Sequence, residues 1–398
     1  MATFTADFLG CKVSQTDVHE IRERLVADGH VESGESADVA IVNTCCVTHE
    51  AVRKSRQAVR RAARSARRVY VTGCGANLPG DAFGDLPENV TVVRLPGERT
   101  PEFVARDVGA IGCVRADVGL DRLRAFVKVQ DGCSFSCAFC VIPQVRGASR
   151  SRAAGAVLAE VRRRVAQGHR EVVLTGINLG CFRDCAAGFD LARLVREVGA
   201  TPGLERLRLS SIEVNHLGEK LIAAMRETPT VSPHLHVPLQ SGDDGVLAAM
   251  GRRYTSATYL RRVGLADGFN LTADVIVGFP AEDDAAFERT LAVVQEAGIT
   301  KAHVFPYSPR PGTRTAAADT VQPEVKRARS ARLRALSAEA CRTRWRGKLD
   351  AVDAVLVDRP GRGYGDDYTP WLVDAPLGRI VRVRAVDVSE EGVVGVPV

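Results

Sequence analysis

The sequence predicts an α/β protein in three parts: a parallel αβα domain at the N-terminus, a partial (β/α)6 barrel in the centre and a small all-β module at the C-terminus. Two observations predict it. Strand-like and helix-like stretches alternate through residue 312 with a restart near residue 122, and helix signals fade after residue 347. Alternation of this kind implies parallel sheets covered by helices. The parts span residues 1–115, 122–320 and 347–398, with a basic linker helix over 323–345.

In the first part, strands are expected at 2–9, 37–43, 68–73 and 89–95. Helices are expected over 13–29, stopped by Gly29, and from about Val47 to Arg67. In the second part the runs 124–129, 171–176, 206–211, 234–239, 271–279 and 301–307 read as strands separated by helices. Six βα units in succession favour an incomplete barrel over a doubly wound sheet. Pro323 suits the first turn of the linker helix. The Val-rich tail, broken by Gly-rich turns, reads as short strands.

Composition narrows the class. No apolar run approaches the roughly 18–20 residues that a spanning helix needs, and MATFTADFLG has neither a basic nor a long apolar region. No membrane is expected as a partner, and the cytosol is the expected location. The net charge of +6 does not oppose a polyanionic partner. Arginine greatly exceeds lysine, which suits phosphate contacts or reflects a bias of the source genome. The 11 cysteines, an odd count, argue against a disulfide framework and for metal binding where the spacing is patterned.

Cys133, Cys137 and Cys140 form a Cys-x-x-x-Cys-x-x-Cys run directly after the first expected barrel strand. That is the carboxyl end, where barrel active sites are built. Three thiolates on a four-iron cluster leave one iron open to a chelating ligand. A zinc site would want a fourth ligand. Cys11, Cys45 and Cys74 lie far apart in sequence, yet each follows one of the first three strands. A parallel sheet carries all three to its carboxyl edge, where they could hold a second three-ligand cluster or be ordinary buried thiols.

The run DGCSFSCAFC resembles the radical-SAM signature. The blocks FLGCKVSQTD, VNTCCVT, VTGCGAN, KSRQAVRRAAR, EVVLTGIN, LRLSSIE, HLHVPLQSGDDGVLAAMGRRYT, DVIVGFP and HVFPYSPRPGT extend the resemblance to the radical-SAM methylthiotransferases over residues 1–345. Within that family the chain is most similar to the MtaB-type branch, which acts on threonylcarbamoyl-adenosine in tRNA. The tail fits the family's RNA-binding TRAM domain.

The resemblance implies two 4Fe-4S clusters, one on Cys11, Cys45 and Cys74 and one on Cys133, Cys137 and Cys140. It implies S-adenosyl-L-methionine as cofactor, contacted by Gly176, Asn178, Glu213, Gln240 and Gly278. It further implies tRNA as substrate, a sulfur donor, and an electron donor such as flavodoxin or ferredoxin. One cluster carries the sulfur; the other cleaves the cofactor to a radical that takes hydrogen from carbon 2 of the modified adenosine beside the anticodon, at tRNA position 37. An aromatic C–H bond is beyond side-chain acids and bases, so the cofactor carries the chemistry. Ser14, Gly75 and Asn77 depart from the family pattern, which has Asn, Tyr and Gln there. Cys46 makes a Cys–Cys pair with Cys45, and Cys113, Cys181, Cys185 and Cys341 fit no pattern.

Arg53, Arg56, Arg60, Arg64 and Arg67 recur at three- or four-residue steps and share one helix face. They could guide an anionic backbone or be a solvated face. Arg146, Arg150 and Arg152 are expected near the cluster mouth, on phosphates or in solvent. Lys326, Arg327, Arg329, Arg332, Arg334, Arg342 and Arg344 repeat the basic pattern in the linker helix. Trp345, Tyr364, Tyr368 and Trp371 are the stacking candidates near the C-terminus, with core packing as the competing reading for the two tryptophans. Two other readings stand beside the main one: a methylthiotransferase for isopentenyl-adenosine or a ribosomal-protein aspartate, and a non-catalytic Fe–S protein that binds RNA.

Overall fold

A computed structural model of the chain describes residues 1–34, 37–80, 82–94, 99–109 and 124–398. The expected boundary at 115–122, Cys113 and the end of the strand expected at 89–95 fall outside the described residues. The chain forms two compact units. One gathers Met1–Gly119, Gln130–Arg150 and Ser308–Ala318; the other gathers Leu120–Val129, Ser151–Tyr307 and Asp319–Val398.

The first unit is built on a five-stranded sheet in the order Val31–Glu32, Thr3–Phe8, Val39–Thr44, Arg68–Thr72, Val90–Val92. Its pairs are parallel throughout. Side chains alternate across a strand, so one sheet feeds two cores. Phe4, Ile41 and Tyr70 pack with Ile21 and Leu25 of the helix Lys12–Ala27 and with Val104 of the helix Thr100–Val108. Ala40, Val42, Val69 and Val71 pack on the other face with Val59 of the helix His49–Ser65. Both faces of Val39–Thr44 are covered, and all its residues are buried. Thr48 caps the helix His49–Ser65, its side chain accepting from the Ala51 N–H at 3.1 Å. That helix ends at Ser65, so Arg67 lies beyond it rather than on its face.

The second unit contains five parallel-barrel strands and most of a sixth, Arg124–Asp131, whose last two residues belong to the first unit; the others are Glu171–Gly176, Arg206–Leu209, His234–His236, Asn270–Val277 and Ile299–Pro306. The first three belong to one hydrogen-bonded sheet and the last three to another. The registers recorded for neighbouring strands are parallel. Leu271, Ala273, Val275 and Val277 join the main apolar core with Val263, Phe287 and Val294 of the covering helices. The alternate residues Thr272 and Asp274 face the other way, toward His234 and His236. The inner face of this part-barrel is therefore polar.

The tail closes into a five-stranded barrel of Val352–Arg359, Arg362–Tyr364, Pro370–Leu372, Val393–Pro397 and Ile380–Val388. Closure removes the exposed edges that so short a sheet would otherwise present. Trp371 sits at the centre of its core, 1% exposed, among Val355, Val357, Val383 and Val393. Tyr368 stacks on Tyr364 and on His234, with Arg208 4.6 Å from its ring centroid. Trp371 is thus spent on the core, while Tyr364 and Tyr368 are half-buried and engaged with neighbouring rings and cations.

The same junction buries Glu171 among Arg124, Arg206 and Arg208 at the amino ends of three barrel strands. Arg206 and Arg208 extend from there to backbone carbonyls of Tyr364, Gly365 and Asp366.

The long basic helix spans Pro323–Arg346. Most of its cations are matched internally: Arg329 with Glu282 and Asp284, Arg332 with Glu288, Arg342 with Glu339, and Arg344 with Asp367. The basic stripe read from sequence is largely an ion-paired ledge, with carboxylate partners both within the helix and at distant positions in the chain. Among the described residues no helix is long and apolar enough to cross a membrane.

Candidate functional site: two cysteine sets in one unit

Cys11, Cys45 and Cys74 follow Thr3–Phe8, Val39–Thr44 and Arg68–Thr72, three neighbouring parallel strands. Strand direction thus delivers the three thiols to one edge of the sheet. Cys11 is exposed, whereas Cys45 and Cys74 are buried. Burial pushes the Cys45 thiol up to about 11, with a further contribution from the neighbouring Cys74 and Cys11 sulfurs. Cys74 goes the opposite way. A hydrogen bond from Cys46, acting against burial, and the adjacent Arg146 hold it below the usual thiol range. Cys46 is pushed up by that same bond and by its own burial.

Cys133, Cys137 and Cys140 lie in the loop between the strand Arg124–Asp131 and the short helix Ile142–Arg146, each partly exposed. The loop is braced at both ends. The Cys133 N–H donates to Gly147 O at 3.0 Å, and the Cys140 N–H to Cys137 O at 3.3 Å. Sulfur is also engaged, since the Phe135 N–H points at Cys133 Sγ at 3.4 Å.

Both cysteine sets belong to the first unit, and a small apolar cluster joins their supports. Cys46, Cys74 and Leu78 pack there with Val141 and Val145. Arg146 crosses the same region: its Nε donates to Cys74 Sγ at 2.9 Å, and its Nη atoms reach Asp17 at 2.8 Å and Asp131 at 3.1 Å. Arg146 was expected on phosphates or in solvent, but at 8% exposure it serves the interior instead. The reason is the pair of carboxylates, which together with the sulfur occupy all three of its nitrogens. Arg150 likewise turns back, donating to Arg146 O at 2.9 Å and Ala148 O at 3.3 Å. Arg152 binds Glu160 at 2.7 Å. Asp17, Asp131 and Arg310, whose Nη1 donates to Cys46 O at 3.4 Å, were not singled out in the sequence. Their one sequence signal is position: Asp131 precedes Gly132-Cys133, and Asp17 stands one helical turn after Val13.

Among the described residues no three His, Cys, Asp or Glu side chains converge as ligands of a single metal ion. A cluster asks for something different, because each thiolate binds its own iron and the sulfurs need not meet at a point. Cys74, a buried cysteine held toward its thiolate form by the Cys46 hydrogen bond and the Arg146 guanidinium, has the chemistry such ligation needs. The donor set therefore fits an iron–sulfur group.

Gly75, one of the expected departures from the family pattern, packs against Thr44 and the Cys45 carbonyl. A Cβ there would lie 2.6 Å from Thr44 Oγ1. That hydroxyl is fixed, donating to Thr72 O at 2.7 Å and accepting from the Ala76 N–H at 3.1 Å. Ser14 is buried, with its hydroxyl 3.8 Å from Cys11 Sγ. The position of Asn77 beside Cys74 has no comparable explanation.

In the second unit, Gly176 ends the strand Glu171–Gly176 and Asn178 follows it, both buried. Glu213 accepts from the Asn215 N–H at 2.9 Å and from Arg252 at 3.4 Å. Gln240 stands in the left-handed region at φ 67° and bridges to Val275. Gly278, at φ 72°, donates its N–H to Glu282 at 2.7 Å and packs on the stem of Lys326. All five stand at or just beyond the carboxyl ends of their strands, on the side expected of a barrel site. Cys181 Sγ lies 3.3 Å from His216 Nε2.

On the helix His49–Ser65, Arg53, Arg60 and Arg64 are exposed and Arg56 is half-exposed. Arg53 bonds Glu50 at 2.7 and 2.6 Å, and Arg60 lies 3.6 Å from Asp85.

Comparison with known proteins joins these features. Residues 127–294 match the radical SAM superfamily, and residues 3–94 match the uncharacterized protein family UPF0004. A Chlamydia pneumoniae protein named threonylcarbamoyladenosine tRNA methylthiotransferase MtaB is 34% identical, over 99% of this chain and 97% of its own. The chain belongs to the radical-SAM methylthiotransferase family. A Bacillus subtilis member with the MtaB name is 35% identical, over 96% of this chain and 94% of its own. A Cereibacter sphaeroides member named tRNA-2-methylthio-N(6)-dimethylallyladenosine synthase is also 35% identical, over 94% of each chain. Among solved structures, the radical S-adenosylmethionine methyltransferase TsrM from Kitasatospora setae aligns with a TM-score of 0.59 at 15% identity, covering 79% of this chain and 74% of that one. That likeness concerns the fold. As a member of this family, the protein is a transferase.

Proposed function

We propose that this methylthiotransferase acts on tRNA, inserting a methylthio group at carbon 2 of the threonylcarbamoyl-adenosine beside the anticodon. The observation that carries the class is the full-length match to methylthiotransferases together with six cysteines in two sets of three. The branch rests on the blocks GCKV (10–13) and KSRQAVRRA (54–62). Overall identity does not separate the branches, since relatives named for dimethylallyl-adenosine match equally well. The dimethylallyl substrate is therefore the second reading.

In this reading Cys133, Cys137 and Cys140 hold one 4Fe-4S cluster, and Cys11, Cys45 and Cys74 hold another. With S-adenosyl-L-methionine bound, the first supplies a carbon radical able to take hydrogen from an aromatic C–H bond, and the second supplies the site for sulfur. Gly176, Asn178, Glu213, Gln240 and Gly278 orient the cofactor from the carboxyl ends of the barrel strands. Arg53, Arg56, Arg60, Arg64 and Arg67 offer cations to the tRNA backbone. A small electron carrier such as flavodoxin or ferredoxin and a sulfur donor complete the reaction, which belongs in the cytoplasm where tRNA is modified.

Anaerobic reconstitution tests the reading. About eight irons per chain, falling to about four when Cys133, Cys137 and Cys140 are changed to Ala, are expected for two separate clusters. About four falling to none would remove the second cluster and the sulfur insertion with it. Nucleoside analysis of tRNA from cells lacking the gene then separates the substrates: loss of methylthiolated threonylcarbamoyl-adenosine supports the proposal, and loss of the dimethylallyl form transfers it to the second reading.

A further inference from the structure

The short helix Ile142–Arg146 carries a cation into the interior of the first unit. Three of its contacts fix that cation. Nε donates to Cys74 Sγ at 2.9 Å, one Nη donates to Asp17 at 2.8 Å, and the other faces both oxygens of Asp131 at 3.1 and 3.3 Å. Each partner comes from a different element. Cys74 follows Arg68–Thr72, Asp17 lies in Lys12–Ala27, and Asp131 ends the strand that leads into Cys133. Asp17 is 4% exposed and Asp131 8%.

A buried ion network of this kind is weak evidence for stability, because desolvation offsets much of the attraction. Its geometry has another consequence. The two carboxylates lock the guanidinium in place, so its bond to sulfur is made at one fixed angle and distance. Hydrogen bonds to ligand sulfurs and the local net charge set the potential of an iron–sulfur group. A donor draws electron density from the thiolate and favours the reduced, more negative state. A carboxylate nearby does the reverse.

We propose that Arg146 raises the reduction potential of the cluster at Cys74, and that Asp17 positions Arg146 while limiting the rise. This rests on the reading that Cys11, Cys45 and Cys74 hold a cluster. The step concerned is the entry of one electron, with no bond formed or broken. Asp131 ties the same guanidinium to the loop of the other cysteine set.

The test uses the full-length chain with Cys133, Cys137 and Cys140 changed to Ala, which leaves a single cluster to titrate. Dithionite supplies electrons through dye mediators, and electron paramagnetic resonance follows reduction. Iron is measured first. If none binds, the cluster reading and this proposal both fall. With iron present, Arg146→Gln is expected to shift the reduction equilibrium at least about tenfold toward the oxidised state, a drop of about 59 mV for a one-electron couple. Asp17→Asn is expected to shift it the other way, and Arg146→Lys to fall between Gln and the native chain. Structural loosening alone would move the Gln and Asn variants in the same direction. Unmoved potentials, or shifts of one sign, overturn the proposal while leaving the cluster reading intact. If Arg146→Gln does not retain iron, Asp17→Asn decides alone: a raised potential supports the proposal, and an unchanged or lowered one overturns it.

Discussion

Replacing Asp367 with Asn removes a buried carboxylate that two cations hold ionised in the C-terminal barrel. Arg344 donates to it at 3.0 and 2.7 Å, and Lys348 lies 3.1 Å away. Burial alone would raise its pKa, but Lys348 and Arg344 outweigh burial and bring it from the ordinary 3.8 to about 2. At about 1.36 kcal/mol per pH unit, that gap corresponds to about 2 kcal/mol of stability. The sign follows from the lowered value. The stabilisation is fully present above the unfolded-state pKa of 3.8 and is lost as pH falls through about 2. Urea unfolding followed by tryptophan fluorescence reads this region, because Trp371 is in the barrel core and Trp345 packs against it. At neutral pH the Asn variant is expected to be about 2 kcal/mol less stable than the native chain. The difference should shrink steadily below about pH 4. A difference that stays constant between pH 7 and pH 3, or none at neutral pH, would refute the reasoning.

Two other variants test the placement of charge in the same way. Glu171→Gln leaves Arg124, Arg206 and Arg208 buried without their shared carboxylate. It should cost about 3–5 kcal/mol in chemical denaturation, and limited proteolysis should release the C-terminal barrel earlier. Changing Arg56, Arg60 and Arg64 together to Gln should weaken tRNA binding and flatten the dependence of log K on log salt by about 2, as filter binding at several salt concentrations would show. An unchanged salt slope would mean that this face is simply solvated.

The order of parallel strands was written in the spacing of apolar runs, and with it the ends to which the cysteines are carried. Cys11, Cys45 and Cys74 could be gathered by strand direction alone, because a parallel sheet sends the residue after each strand to one edge. The run Cys133-x-x-x-Cys137-x-x-Cys140 is local, so its spacing was legible without any fold. Elements of few residues, such as Val31–Glu32, Gly73–Ala76 and Val393–Pro397, escaped notice, since so short a stretch carries no period.

Charge was the property that sequence described least well. A row of arginines at helical spacing reads the same whether water, phosphate or carboxylate faces it. Only the fold brought Glu282 and Glu288 against the helix Pro323–Arg346, or Asp17 and Asp131 around Arg146. The aromatic residues near the C-terminus show the same division: their number was plain, but that Tyr368 would lie between His234, Tyr364 and Arg208 was not. Sequence by itself determined where the cysteines fall and which end of each strand would carry them, because backbone periodicity and strand direction are local properties. Tertiary structure alone decided which charges remain at the surface, because a buried cation is defined by partners that lie far away along the chain.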